Sequence, residues 1–346
     1  MNTIRPKNIL VLPLVLPLSL AIFTFALLVS VLGSQPQVAL AQPGRVEVSG
    51  NITTPATWTL ANSPYTMTGD VIVNAGVTLT IEPGVIVRGR ESAELRVLGH
   101  LEAVGTEGNP ILFTSEMDGG PRQWSGLVFD GGTGSLRHTT VRYAGQGNTI
   151  ARGNIAVRNG ALHIESSQVI SENNSSVDYG LYIEGSRVAI SDTLFSGNGN
   201  TNNDYALYTT GVTTVLTVTG STFQNNSGDA LTANSGIGTV TDSTFEGNAG
   251  FGLYAASAAV TFTHNSFHNN EWAVGVDLHN VEGITYHDNT ISGNTHNRLG
   301  IGGGSVLSDT RLPVIDLAGH EGYVLAGDVS VPVTVTLTVD PGVTVM

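Results

Sequence analysis

Three groups of side chains have the types and spacing to do chemistry. The first is aromatic and acidic. Val177-Asp178-Tyr179-Gly180-Leu181-Tyr182 and Asn203-Asp204-Tyr205-Ala206-Leu207-Tyr208 are near copies, and Tyr254 follows Leu253 in the same way, with Thr232 after Leu231. If such copies stack, Tyr182, Tyr208 and Tyr254 form one outward column, with Tyr179 and Tyr205 close beside it. An aromatic strip of this kind can lie against the apolar faces of sugar rings while its hydroxyls meet theirs. The plain alternative is tyrosine serving as a strand residue that packs on its neighbours. Asp178 and Asp204 would share a second column. Two carboxylates one strand spacing apart suit Ca²⁺ with loop carbonyls or a glycosidase pair; otherwise they are solvated loop acids. The third group is mixed: Asp242, His264 and Asp288 recur at one offset and His268 lies near, a set of donors for Zn²⁺ or Cu²⁺. An evenly spaced column is a poor coordination geometry, so a plain polar face competes with that reading.

These residues need a scaffold with a fixed period, and the sequence has one. Ser221-Thr222-Phe223-Gln224-Asn225-Asn226 returns as Ser243-Thr244-Phe245-Glu246-Gly247-Asn248, then as Asn265-Ser266-Phe267-His268-Asn269-Asn270 and Asn289-Thr290-Ile291-Ser292-Gly293-Asn294. Read back through Phe195 to Ile170, the apolar residue recurs at steps of 25, 28, 22, 22 and 24 residues. Periods in this range mark solenoids, whose single coils cannot bury their apolar faces alone. The runs between phrases, such as Val260-Thr261-Phe262-Thr263, alternate as strands do. The fold class expected is all-β: a right-handed parallel β-helix with three strands per coil and about 22–28 residues per coil. Runs such as Val71–Val73, Val77–Ile81 and Val85–Val87 would form the three sides of one coil. Phe195, Phe223, Phe245 and Phe267 should stack inside. The Asn three residues after each apolar residue (Asn173, Asn198, Asn226, Asn248, Asn270, Asn294) should form an internal ladder, because an amide can donate to one coil and accept from the other.

Residues 1–41 read as a secretory signal peptide: Arg5 and Lys7, an apolar run from Ile9 to Leu32, then Ala39-Leu40-Ala41. An uncleaved membrane anchor is the alternative, and it would be the only contact with a membrane. Cleavage would move the net charge from −14 to −16, since two basic and no acidic residues leave. So acidic a chain lacks the basic footprint of a nucleic-acid partner. With Cys absent, neither disulfides nor thiolate sites contribute. Gln42 to Thr57 reads as a polar lead-in.

The runs Gly69-Asp70-Val71, Leu79 to Val85, Val97 to Thr106, Asn109 to Ser115 and Trp124-Ser125-Gly126-Leu127 resemble bacterial and archaeal secreted surface proteins with right-handed β-helix repeats of the pectate-lyase-like fold. That resemblance implies the fold; the group mixes adhesins, sheath-like proteins and polysaccharide-active enzymes, and fold does not fix activity. Residues 69–87 recur at 327–345 with twelve of nineteen positions identical. The domain expectation is therefore a signal peptide (1–41), a β-helix (42–308) and the start of a second, truncated unit (309–346), with further repeats in cis beyond 346. Two functions remain: a secreted or cell-surface protein with a structural, adhesive or glycan-binding role, its partner an extracellular polysaccharide or cell-surface glycan; or a polysaccharide lyase or glycoside hydrolase, with Ca²⁺ at the Asp178–Asp204 pair as its cofactor. The first needs no catalytic residue. The second needs cations near its acids, yet between Asn159 and Asn297 the sole Lys or Arg is Arg187, whereas eight arginines run from Arg88 to Arg158.

Overall fold

A computed structural model describes residues 45–147, 149–150, 153–171, 179–201 and 204–346. The expected signal segment 1–41 therefore lies outside the described residues, as do Asn173 and Asp178. The rest is a stack of coils, each winding through three strands. The first face comprises Glu94–Val97, Gly126–Asp130, Gly153–Arg158, Tyr179–Glu184, Tyr205–Thr210, Asp229–Ala233, Phe251–Ala255, Trp272–Asp277 and Leu299–Gly302. The second is a ten-stranded sheet running from Ala56–Trp58 to Ile284–His287. The third carries the repeated phrase, in Leu194–Ser196, Thr222–Gln224, Thr244–Glu246, Ser266–His268 and Thr290–Ser292. Each strand pairs in parallel with its counterpart one coil on, as Leu207 does with Leu231 and Leu231 with Leu253. Helix is confined, among the described residues, to two short 3₁₀ segments, Leu60–Asn62 and Leu278–Gly283.

The repeated phrase explains both the corner and the core. Phe195, Phe223, Phe245 and Phe267 are fully buried and stack at 4.7, 5.0 and 4.8 Å between ring centroids. Three residues on, the asparagine amides form a hydrogen-bonded column. Asn198 donates to Asn226, Asn226 to Asn248, Asn248 to Asn270 and Asn270 to Asn294, at 2.8 to 3.1 Å. Asn297 accepts from Asn294 at the last step. A second column stands at the start of the phrase, where Thr193, Ser221, Ser243, Asn265 and Asn289 each accept a backbone N–H from the coil before. The residue preceding it turns the chain in the left-handed region: Asp192, Gly220, Asp242, His264 and Asp288 have φ between 48° and 58°. Asp, His and Gly tolerate that conformation where β-branched residues do not.

Two readings of the chain ends change. The segment after Gln42 is no plain polar lead-in: Val46–Ile52 is a strand that pairs in parallel with Tyr65–Val73. Its alternating Val46, Val48 and Ile52 face the core. At the other end, the strands run on across the boundary expected at 308. Leu299–Gly302 pairs with Tyr323–Leu325, and Thr310–Leu312 with Leu337–Val339. The sequence match between 69–87 and 327–345 has a structural counterpart, because Tyr65 pairs with Val87 as Tyr323 does with Val345.

Candidate functional site

Strand alternation sends every second residue of the first face outward. In the coils from 179 to 277 these outward residues are aromatic. Tyr182 stacks on Tyr208 at 5.9 Å, and Tyr179 on Tyr205 at 5.8 Å. The two columns touch each other, Tyr179 meeting Tyr182 at 5.1 Å and Tyr205 meeting Tyr208 at 4.9 Å. Further along, Phe251 packs on Tyr254 at 4.8 Å and on Trp272 at 5.4 Å. Trp272 in turn stacks on His296 at 3.8 Å. All five tyrosines expected as a strip thus lie on one face.

The strip is interrupted. In the coil between the two aromatic groups, Asp229 registers with Tyr205, and Thr232 with Tyr208. The Thr232 hydroxyl donates to the Asp229 carboxyl at 2.8 Å, and the Phe251 N–H donates to its other oxygen at 2.9 Å. The result is an open slot at Asp229 and Thr232 between Tyr205 and Tyr208 on one side and Phe251 and Tyr254 on the other, part of a groove of about 400 Å³ that runs on past Asp277 to Gly302, Gly303 and Ala326. Phe251 and Tyr254 lean away from it, over Gly275, Gly300 and Gly302. A β-carbon at any of those glycines would collide with a ring or with the Tyr254 hydroxyl. The Tyr254 hydroxyl donates a short hydrogen bond to Asp277.

Burial sets the electrostatics. It pushes the Asp229 carboxyl up to about 6, against the two hydrogen bonds that favour its charged form. Tyr205 is pushed up to about 12 by burial and then by Asp229. Tyr182 rises to about 12 by burial and by Glu184, to which its hydroxyl donates at 3.3 Å. Tyr254 is raised by burial and by Asp277. Each tyrosine therefore remains a neutral hydrogen-bond donor at any ordinary pH. Asp229 and Asp277 escaped the sequence reading, which took its acids from the loop positions Asp178 and Asp204. The signal was present: Asp229-Ala230-Leu231-Thr232 aligns with Tyr205-Ala206-Leu207-Tyr208, which puts an acid in an aromatic column.

The other expected donors lie elsewhere. Asp204 is buried, and one of its oxygens accepts the N–H groups of Asn200 and Thr201 at 2.7 and 2.8 Å, so it organises its own loop. Asp242, His264 and Asp288 occupy the left-handed corner between the second and third faces. There His264 and His287 approach Asp288 at 3.7 and 2.8 Å with all three side chains exposed, and His268 meets Glu246 at 3.6 Å. Among the described residues no three His or carboxylate side chains converge as a metal site would require. The spacing of the mixed set reflects corner geometry, in which the same residue types recur for conformational reasons.

Residues 125–314 match the family described as the right-handed beta helix region, and residues 50–141 match the pectate-lyase like beta helix domain. The chain belongs to the right-handed β-helix family. Among solved structures, this β-helix protein is similar to a mutant of the periplasmic alginate epimerase AlgG, at 11% identity, over 80% of this chain and 77% of that one, with a TM-score of 0.41. It is also similar to ORF18 of Geobacillus virus E2, at 13% identity over 79% and 54% of the two chains, with a TM-score of 0.29. Tailspike protein 3 of bacteriophage CBA120 follows at 14% identity over 80% and 56%, with a TM-score of 0.20. None of these likenesses bears on activity. No curated protein sequence matches the β-helix chain.

Proposed function

We propose that this β-helix protein is exported and holds an extracellular polysaccharide or cell-surface glycan along its first face, in a structural or adhesive role. The observation that carries the reading is the double aromatic column of Tyr179, Tyr182, Tyr205 and Tyr208, continued by Phe251, Tyr254 and Trp272. Its rings repeat at coil spacing on an outward face, so successive sugar rings can lie on them while the phenol oxygens accept from sugar hydroxyls. The apolar run and Ala39-Leu40-Ala41 of the first 41 residues support export. Affinity electrophoresis of the full chain in gels carrying soluble polysaccharides tests this. Replacing Tyr182 and Tyr208 together by Ala should weaken retardation by at least about tenfold, the loss of two stacking partners. Retardation unchanged by that double substitution would sink the reading.

A second reading rests on Asp229, whose carboxyl is held up to about 6 inside the slot. A carboxyl poised there could protonate a glycosidic oxygen as a general acid, which is what a glycoside hydrolase requires. Release of reducing ends from a bound polysaccharide, abolished by Asp229→Asn, would favour this over holding alone.

A further inference from the structure

The slot has the dimensions of a missing ring. Tyr208 and Tyr254 stand two coils apart, and two strand spacings are roughly 9–10 Å. Because Tyr254 leans away over Gly275 and Gly302, the gap at Asp229 and Thr232 is at least as wide as the roughly 7–8 Å that a puckered ring needs between two carbon contacts. Thr232 and Asp229 sit where the columns on either side carry rings, so the gap is one ring deep in both columns. At its floor lies a carboxyl group whose partners are one N–H and one hydroxyl. The other charged residue that lines the slot is also acidic, Asp277. The sole arginine between 159 and 297, Arg187, lies on the second face, in Arg187–Ser191. Aromatic walls attract a cation through their ring faces. A partly buried carboxylate without a cationic partner gains from a ligand that brings one.

We propose that this slot takes a single pyranose ring carrying a protonated amine, placed between Tyr208 and Tyr254 with its ammonium at Asp229. The glycan held along the first face is then an amino-sugar polymer. A polyuronate is excluded by the same geometry, because its carboxylates would meet Asp229 and Asp277 with no cation to mediate. This rests on the glycan-holding reading and narrows it to one class.

The test titrates the full chain with hexamers of glucosamine, N-acetylglucosamine and galacturonate by calorimetry, at about pH 7, above the value of Asp229 and below that of an ordinary amine, and at two salt concentrations. Glucosamine hexamer should bind at least about tenfold more tightly than the N-acetylated one, the worth of a charge-assisted hydrogen bond, and galacturonate hexamer should not bind. Asp229→Asn should remove that preference and leave binding of the N-acetylated hexamer within about twofold. Thr232→Tyr, which supplies the missing ring in a position where neighbouring coils already carry tyrosine, should abolish binding of glucosamine hexamer with the melting curve retained. Asp192→Asn on the distant corner should change nothing, which separates the slot from attraction of a polycation to an acidic protein. Equal binding of the acetylated and free amines, or tighter binding to Thr232→Tyr, overturns the amino-sugar slot while leaving a glycan-holding face. Loss with Asp192→Asn equal to that with Asp229→Asn, or tighter binding of galacturonate, also overturns it. Binding of none of the three hexamers overturns the slot, and the polysaccharide gels then decide separately whether the aromatic face holds any glycan.

Discussion

The first face is one ladder of strands with two different outer surfaces. Between 94 and 158 its outer surface carries paired charge: Asp130 bridges Arg96 and Arg158 across successive coils. Between 179 and 277 the column of Arg96, Val128 and Ala156 continues as Tyr182, Tyr208, Thr232 and Tyr254, with Asp229 and Asp277 beside it and no arginine. Beneath both surfaces the inward column is the same kind of residue throughout, Leu95, Leu127, Ile155, Leu181, Leu207, Leu231 and Leu253, all fully buried. Burial and parallel pairing therefore specify the coil, and the outward positions are left free to vary. Charge that is paired with arginine in one half has no arginine partner in the other.

Four measurements can break or sharpen that contrast. The interior should be indifferent to it. Phe129→Ala beneath the charged half and Phe223→Ala beneath the aromatic half should each cost about 3–5 kcal/mol in urea melts, as large-to-small core substitutions do. A marked inequality would mean that the two halves differ in packing and not merely in surface. Next in size is Asn248→Ala, which removes the acceptor of the Asn226 N–H and side-chain amide and the donor to the Phe223 carbonyl. Leaving buried partners unsatisfied should cost about 1–3 kcal/mol. Exposed Asn51→Ala should leave the melt unchanged.

The two acids should respond to pH in opposite senses. Burial raises Asp130, but its bonds to Arg96 and Arg158 outweigh this and hold it below the ordinary value. Its contribution is therefore complete above the unfolded value of about 3.9 and is lost as pH falls through the folded one. Asp229, held up to about 6, contributes most below about 3.9 and loses that contribution as pH rises through about 6. At pH 8, Asp130→Asn should destabilise by about 1 kcal/mol, whereas Asp229→Asn should stabilise by about 1–2 kcal/mol. Shifts of the same sign would erase the distinction between paired and unpaired charge. The smallest effect concerns the aromatic column itself. Tyr182→Thr copies the residue already present at 232 and should change stability by about 0.2–1 kcal/mol, the range of a cross-strand pair. A larger loss would make the aromatic strip a structural device.

The coil was legible in the sequence because Phe and Asn keep a fixed offset, and both have single jobs in a stacked bend: one fills the interior, the other satisfies the backbone. The tyrosine columns were legible for the same reason. Asp229 was not, because an acid stands out against loop neighbours and is overlooked when it replaces an aromatic residue in a column. The strand Val46–Ile52 was hidden by its polar outward residues, Glu47, Ser49 and Asn51, which mask the alternation of Val46, Val48 and Ile52. The serine, threonine and asparagine that begin each phrase carry no periodic signal of one residue type. Their acceptor role becomes visible once the coils are superposed.

The left-handed corner has a consequence for how such a chain can change length. From Asp192 to Asn198, Gly220 to Asn226, Asp242 to Asn248, His264 to Asn270 and Asp288 to Asn294 the count is always six residues. The coils themselves step by 28, 22, 22 and 24 residues across the same series. All of the variation falls at the other two corners. The third face acts as a gauge block, fixed at one end by backbone handedness and at the other by a shared amide. Foreign loops can be grafted, and natural ones lengthened, beside the first face, where they would deepen or roof its aromatic strip. At the third-face corner even one added residue would part that coil's left-handed turn or its asparagine from the columns above and below.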